Sequence, residues 1–148
     1  MEITAVCELE YYDDPENGLD HFPFSFYFNF KFDECTANVD ITEPYIYTKE
    51  RWEKLISAIE NDTDDKLDFY QGNGEGSISC HRGFVCFTAC PSGAGGDTRV
   101  SFKLPLFKYK EKLVEILNRL INDPAATIYW EKISNTRQNN TDEDAPDF

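Results

Sequence analysis

Hydrophobic and polar residues alternate along the first third of the chain. Apolar side chains share one parity over residues 3–9, and phenylalanine occupies every second position from Phe22 to Phe32. A period of two places such residues on one face of a strand, so both segments predict half-buried strands. Apolar residues alternate again over 35–41, after a turn at 33–34, which predicts an antiparallel hairpin.

The period then changes to that of a helix. From Thr48, a plausible N-cap, apolar residues recur at spacings of three and four through Ile59. Apolar and polar residues then alternate again in short runs. A second amphipathic helix follows and ends before Pro124. The predicted later elements are strands near 66–70, 77–80, 84–90 and 100–104, a helix carrying 113–121, and a last short strand at 126–130.

These elements predict an α+β fold, mainly an antiparallel sheet with two amphipathic helices on one face. The helical segments 49–62 and 110–123 align at an offset of 110 − 49 = 61, where Pro44 meets Pro105. We therefore predict an internal repeat, residues 22–62 and 83–123, of a β-meander followed by a helix whose sheets join. The alternative is that two amphipathic helices share a composition by chance. Residues 1–133 are expected to form a single domain, and the polar, acidic tail 134–148 to be disordered.

Charge is the unusual part of the composition. The 148 residues contain 28 Asp and Glu against 14 Lys and Arg, which gives a net charge of −14. This balance argues against direct binding to nucleic acid and against docking on anionic lipid. It favours a basic protein as the partner, although acidity that only keeps the protein in solution explains it equally well.

Cysteine usage and the first residues bear on the compartment. Five cysteines are an odd number without the spacing of a disulfide framework, and residues 1–8 lack the features of a secretory signal. No apolar run is long enough to span a membrane. We therefore expect a cytoplasmic protein.

Candidate chemistry is sparse. Cys80-His81, Cys86 and Cys90 lack the second pair of ligands that zinc sites use, and the glycine-rich stretches lack phosphate-binding spacing. The two histidines, His21 and His81, lie in different turns without a nucleophile motif nearby. We therefore predict no catalytic residues, no metal site and no cofactor.

The predicted partner-binding residues are acids and tyrosines. They lie in the first loop, in the turn after the first helix and on strand faces: Asp13, Asp14, Glu16, Asp20, Asp62, Asp64, Asp65, Tyr11, Tyr12, Tyr27 and Tyr70. An ordinary solvated role is the alternative for each. If the sheet face opposite the phenylalanines is open, interface residues there would be Tyr27, Asn29, Asn38 and either Tyr45 or Tyr47.

The order of elements and a few short motifs resemble a known family. The motifs are Thr48-Lys49-Glu50 with Leu55, then Leu67-Asp68-Phe69, Ser77-Ile78-Ser79-Cys80, Phe87 to Gly93, and Leu113 to Leu120. Over Leu9 to Ile121 the chain resembles small acidic immunity proteins of bacterial polymorphic and contact-dependent toxin systems, in particular those protecting against Wap-type toxins. The resemblance implies a cytosolic protein that blocks a toxin domain, often a basic nuclease. The acidic tail departs from that pattern.

The expected function is therefore a non-enzymatic inhibitor of a partner protein, most specifically an immunity protein that neutralises a toxin or nuclease domain. One alternative is a phage or viral inhibitor that mimics nucleic acid and blocks a host defence nuclease. Another is a structural or assembly protein that uses sheet edges and hydrophobic surface. An enzyme would need a carboxylate or histidine in a pocket that shifts its pKa. The oligomeric state is left open by the sequence.

Overall fold

A computed structural model describes residues 1–9, 24–42, 47–71, 74–90, 100–127 and 130–131. Their named elements follow the predicted α+β order. They are β1 (Glu2–Leu9), β2 (Phe24–Lys31), β3 (Thr36–Thr42), α1 (Lys49–Asn61), β4 (Asp65–Gln71), β5 (Gly74–His81), β6 (Phe84–Cys90), β7 (Val100–Pro105) and α2 (Leu106–Ile121). The α+β class predicted from the alternating and helical periods is confirmed.

The strands form two antiparallel meanders. β1, β2 and β3 make a three-stranded sheet in that order, and β4, β5, β6 and β7 make a four-stranded sheet. The prediction that the strands join into one sheet is therefore wrong. Phe28 and Phe30 of β2 instead contact Phe87 of β6, at ring-centroid distances of 5.5 and 5.0 Å. The inner faces of the two sheets therefore pack against each other through large side chains. The strands do not continue into a single hydrogen-bonded sheet.

The phenylalanine stripe of β2 forms the centre of the core. Phe26, Phe28 and Phe30 are buried and belong to one apolar cluster that includes residues of both sheets and both helices. The Phe30 ring also lies 4.6 Å from the Phe102 ring of β7. The sequence prediction that this parity faces the core is confirmed for these three positions.

Helix α1 covers the other end of the stripe. The indole of Trp52 packs edge-on against Phe26, with centroids 5.2 Å apart, and lies 5.6 Å from Phe69 of β4. The predicted N-cap is confirmed, because the Thr48 hydroxyl accepts a hydrogen bond from the backbone N–H of Arg51. The helix ends at Asp62, which adopts the left-handed conformation with φ of 54°. Helix α2 packs beside α1 and against β1 and β7.

The predicted turn at 81–83 is a tight two-residue hairpin. Arg82 and Gly83 both have positive φ, 49° and 81°, as the favoured two-residue turns between antiparallel strands require. The Gly83 carbonyl accepts a 2.9 Å hydrogen bond from the N–H of Leu106. This bond fixes the start of α2 beside the β5–β6 turn.

The predicted last strand at 126–130 is wrong. Residues 124–127 and 130–131 are helical, and Trp130 donates from its indole nitrogen to the carbonyl of Ile121. Asp123 sets up this turn, since its side chain accepts a hydrogen bond from the N–H of Ala125. The apolar run alone did not distinguish a short strand from one helical turn.

Both halves of the chain consist of an antiparallel meander followed by a helix. At the offset of 61 residues, β2, β3 and α1 overlap β6, β7 and α2, and the second half contains one strand more than the first. This order agrees with the repeat, and common ancestry of the halves stays a prediction. The tail 134–148 lies outside the described residues.

Replacing Phe30 with alanine should lower the free energy of unfolding by about 3–5 kcal/mol, because it opens a cavity where both sheets meet. Phe107→Ala is the matched control, since that ring is 92% exposed, and its effect should stay within about 0.5 kcal/mol in dilute solution. Urea denaturation followed by tryptophan fluorescence measures both. Equal effects of the two substitutions would contradict the proposed core.

Candidate functional site

Several predicted binding residues lie outside the described part of the chain. They are the first-loop residues Tyr11, Tyr12, Asp13, Asp14, Glu16 and Asp20, together with Tyr45. Tyr70 belongs to β4, but its side chain is also outside that part. The role of these residues stays a prediction.

The acidic turn after α1 is described, and its three aspartates have different surroundings. Asp62 caps the helix through its backbone. The Asp64 carboxylate lies 2.9 Å from Nδ1 of His81, and both side chains are more than half exposed. Asp65 is largely buried and receives both terminal nitrogens of Arg51 at 2.7 Å. Asp62 and Asp64 are therefore accessible to a partner, whereas the Asp65 carboxylate is occupied within the fold.

The surroundings of Asp65 shift its pKa. Burial raises the pKa, but the hydrogen bonds from Arg51 and from the backbone of Lys66 outweigh burial and hold it below its ordinary value. The charged form is therefore the one that the fold favours. Arg51 also donates to the carbonyl of Lys66, so the pair joins α1 to β4.

Tyr47 is likewise used inside the fold. Its hydroxyl donates to the carbonyl of Asp68 at 2.7 Å and accepts from the N–H of the same residue at 3.0 Å. Its ring packs edge-on against Phe69. Because β4 is at the edge of its sheet, these bonds cover backbone groups that an edge strand would otherwise present.

The outer face of the first sheet has exposed side chains on β1 and β3 and half-buried Tyr27 and Asn29 on β2, and we call it the tyrosine face. The register aligns two rows across its three strands, Val6–Tyr27–Asp40 and Thr4–Asn29–Asn38. Val6 is 54% exposed, and the side-chain amide of Asn29 donates to the side-chain oxygen of Asn38. Parity in the sequence identified Tyr27, Asn29 and Asn38. It missed Val6 and Asp40, which the same parity argument would have found.

Acidic side chains surround the tyrosine face. Among the described residues, exposed carboxylates lie on β1, on β3 and in the β2–β3 turn, together with one exposed lysine at the end of β2. The acids are Glu2, Glu8, Asp33, Glu34 and Asp40, and the lysine is Lys31. The outer face of the second sheet is different. Its described side chains include four with hydroxyl groups, Ser77, Ser79, Thr88 and Ser101, together with Cys86 and Lys103. Asp68 is paired there with Lys66 at 3.3 Å. The two faces therefore differ in charge.

A groove opens beside the tyrosine face, between β1 and the end of α2. It has a volume of about 440 Å³ and is lined by Ala5, Val6, Cys7, Ile116, Arg119, Leu120, Asn122, Asp123 and Pro124. Burial, and next the nearby Asp123 carboxylate, raise the pKa of the Cys7 thiol to about 12. No pattern in the sequence points to the groove, because the groove joins segments more than a hundred positions apart.

The described residues present little that could bind a metal or start covalent chemistry. No group of three or more His, Cys, Asp or Glu side chains among them is arranged to hold a metal ion. Burial raises the pKa of Cys80 as well, with further contributions from Asp62 and Asp64. Cys7 and Cys80 therefore stay protonated near neutral pH, and a thiol is a poor nucleophile. None of the described helices has the length and apolar content needed to cross a membrane.

A family model matches residues 29–108, which is more than half of the chain. The chain belongs to DUF5766, a family of unknown function. The DUF5766 match includes Asn29 and Asn38 of the tyrosine face, all of α1 and the second sheet, and the first turn of α2. No curated protein and no solved structure matches the chain.

Replacing Asp65 with asparagine should destabilise the protein by about 1–3 kcal/mol at pH 7, because charged hydrogen bonds to Arg51 are lost. The folded-state pKa of Asp65 is depressed, so this stability is present above the unfolded pKa of about 4. It is lost as pH falls through the folded value. Urea unfolding between pH 7 and pH 3 should show the two proteins converging toward acid. A constant difference would contradict this role.

Proposed function

We propose that this protein is a non-enzymatic inhibitor that binds a basic protein in the cytoplasm, and that the tyrosine face is its binding surface. The partner class that fits best is a toxin or nuclease domain, as the resemblance to acidic immunity proteins implies. The observation that carries the proposal is the acid-rimmed outer face of the first sheet, on which half-buried Tyr27 lies between the exposed Val6 and Asp40.

The composition of the face is suited to protein recognition. Tyrosine and asparagine combine contact area with hydrogen-bonding groups, and tyrosine is enriched at interfaces and among residues that dominate binding energy. Val6 adds apolar surface beside Tyr27 in the same row. A sheet face of this kind can cover a site on a partner without inserting into it.

The charge around the face favours a basic partner. In the part of the chain that the structure describes, five exposed carboxylates and one exposed lysine, Lys31, lie around the face. The whole chain has a net charge of −14. Such a field speeds encounter with a positive surface and repels polyanions. A nuclease presents clustered cations to the phosphates of its substrate. An acidic face that covers those cations would block the substrate without any catalytic step.

The second sheet supplies the internal comparison. Asp40 on the tyrosine face and Asp68 on the other outer face are both exposed strand aspartates. If binding depended only on net charge, reversing either one would weaken it equally. If the tyrosine face is the contact surface, only Asp40 lies within it.

Tagged wild-type protein should capture a basic protein from the cells that produce it, strongly at low salt and weakly at high salt. Asp40→Lys should reduce capture roughly tenfold or more, which corresponds to about 1.4 kcal/mol. The matched variant Asp68→Lys should retain capture. Quantitative mass spectrometry of the bound fraction measures all three proteins.

Two results would reject the proposal. Failure of the wild-type protein to capture any basic protein at low salt would mean that the proposed partner does not exist. Loss of capture by Asp68→Lys with retention by Asp40→Lys would place the contact on the second sheet. Circular dichroism and thermal melting of both variants confirm that each one folds.

A further inference from the structure

The second sheet has two edge strands, β4 on one side and β7 on the other. An edge strand turns every second N–H and C=O away from the sheet, where another strand can pair with them. One hydrogen bond shows which residues of β7 turn outward. The N–H of Leu106 donates to the carbonyl of Gly83, and these two residues are the next partners after Pro105 and Phe84 in the register of β7 and β6.

Hydrogen bonds in an antiparallel pair recur at every second pair of partners. Starting from the bond at Leu106, the residues of β7 that bond to β6 are therefore the even-numbered ones, Leu104, Phe102 and Val100. Ser101 and Lys103 lie between them, so their N–H and C=O groups point away from β6. Both of these residues are exposed.

Side chains cover the outward backbone groups of the opposite edge, β4. Arg51 donates to the carbonyl of Lys66 at 2.9 Å, and the Tyr47 hydroxyl bonds both the N–H and the carbonyl of Asp68. Within the described part of the chain, no side chain makes a corresponding bond to the backbone of β7. The two edges of this sheet therefore differ, since side chains cover β4 and leave β7 open.

The lysine of β7 is directed away from the open edge. A lysine on an edge strand often prevents pairing with another chain. The Lys103 ammonium, however, lies 5.9 Å from the centre of the Phe84 ring, and Phe84 belongs to the neighbouring strand β6. The charge is therefore held over its own sheet and leaves the edge accessible.

An apolar row runs along β7 beside these backbone groups. Val100, Phe102 and Leu104 share the parity that faces the core, and Leu104 is buried. Val100 is 59% exposed although it has the same parity. No side chain of β7 is acidic, so two copies of this strand can approach each other without bringing carboxylates together.

We infer that β7 pairs with β7 of a second copy, antiparallel and about a two-fold axis, so that the two four-stranded sheets become continuous. Placing Ser101 opposite Lys103 of the other copy, in both directions, gives every outward N–H and C=O of these residues a partner. The same register sets Val100 opposite Leu104, and Phe102 opposite its own counterpart. It also keeps the two lysines from facing each other directly, which would be unfavourable.

The pattern of the two edges favours a second copy as the occupant. A second copy offers the same outward groups and the same apolar row, in the order that a two-fold axis requires. A contact that uses one surface on both copies closes after two chains, and β4 offers no further site because its outward groups are already bonded. The expected assembly is therefore a dimer. This inference does not depend on the proposed inhibitory function, since the tyrosine face lies on the other sheet.

The dimer is expected to be weak and to strengthen with salt. Its ladder is short, because Pro105 has no N–H and ends it. Two chains of charge −14 repel each other, and at about 0.15 M salt that repulsion is screened beyond roughly 8 Å. Sedimentation equilibrium should show a mass that rises from 17.1 kDa toward 2 × 17.1 = 34.2 kDa as concentration approaches about 1 mM. Partner capture has the opposite dependence on salt, so either proposal can fail alone.

Two variants each disturb a different part of the contact. Lys103→Pro removes an outward N–H that the sheet itself does not use, and Lys103→Ala is its control because it keeps that N–H. Val100→Lys places a charge in the apolar row. Val6→Lys is the matched control, because Val6 is a valine of similar exposure on the edge strand β1, at 54% against 59%. Lys103→Pro and Val100→Lys should remain monomers, and both controls should dimerise like the wild type. Circular dichroism confirms that each variant folds.

Hydrogen exchange of single amides, followed by NMR, tests the register. The N–H groups of Ser101 and Lys103 should exchange roughly twofold or more slowly at about 1 mM than at about 0.05 mM. The N–H of Phe102, which is bonded to β6, should exchange slowly at both concentrations.

Several results would overturn the inference. They are wild-type protein that stays monomeric to about 1 mM, a mass that exceeds 34.2 kDa, and loss of the dimer in either control. Slow exchange of Ser101 and Lys103 at every concentration would overturn it as well, because the edge would then be paired within a single chain.

Discussion

Contacts of the β2 phenylalanines connect the main parts of the fold. Phe26 meets α1 through Trp52, whereas Phe28 and Phe30 meet the second sheet through Phe87. Because side chains of a strand alternate between faces, committing this parity to the core places Tyr27 and Asn29 on the outside. The exposed face of the first sheet is therefore a direct consequence of the way the core is built.

The outer positions are then free to differ between the sheets. On the first sheet they combine tyrosine, asparagine and valine with a rim of carboxylates, and on the second they are mainly hydroxyl groups and lysines. Recognition of a basic surface is the explanation that we propose for this difference.

Periodicity in the sequence predicted the strands, α1 with its Thr48 cap, and the inward parity of Phe26, Phe28 and Phe30. Periodicity did not predict two separate sheets, because polar and apolar residues alternate along a strand in the same way in one continuous sheet and in two sheets packed face to face. The sequence also suggested Asp65 as a partner-binding residue. The structure pairs its carboxylate with Arg51, which comes close only when α1 packs on β4. Periodicity missed the groove for the same reason, since Val6 and Leu120 meet only in the folded chain.

Photo-cross-linking in the producing cells tests whether the tyrosine face contacts a basic protein. Benzoylphenylalanine in place of Tyr27 keeps an aromatic side chain at the centre of the tyrosine face, and the same group in place of Ser101 reports on the outer face of the second sheet. If the tyrosine face binds the partner, position 27 should give a covalent adduct with a basic protein and position 101 should give none. Adducts formed only from position 101, or none from position 27, would contradict it.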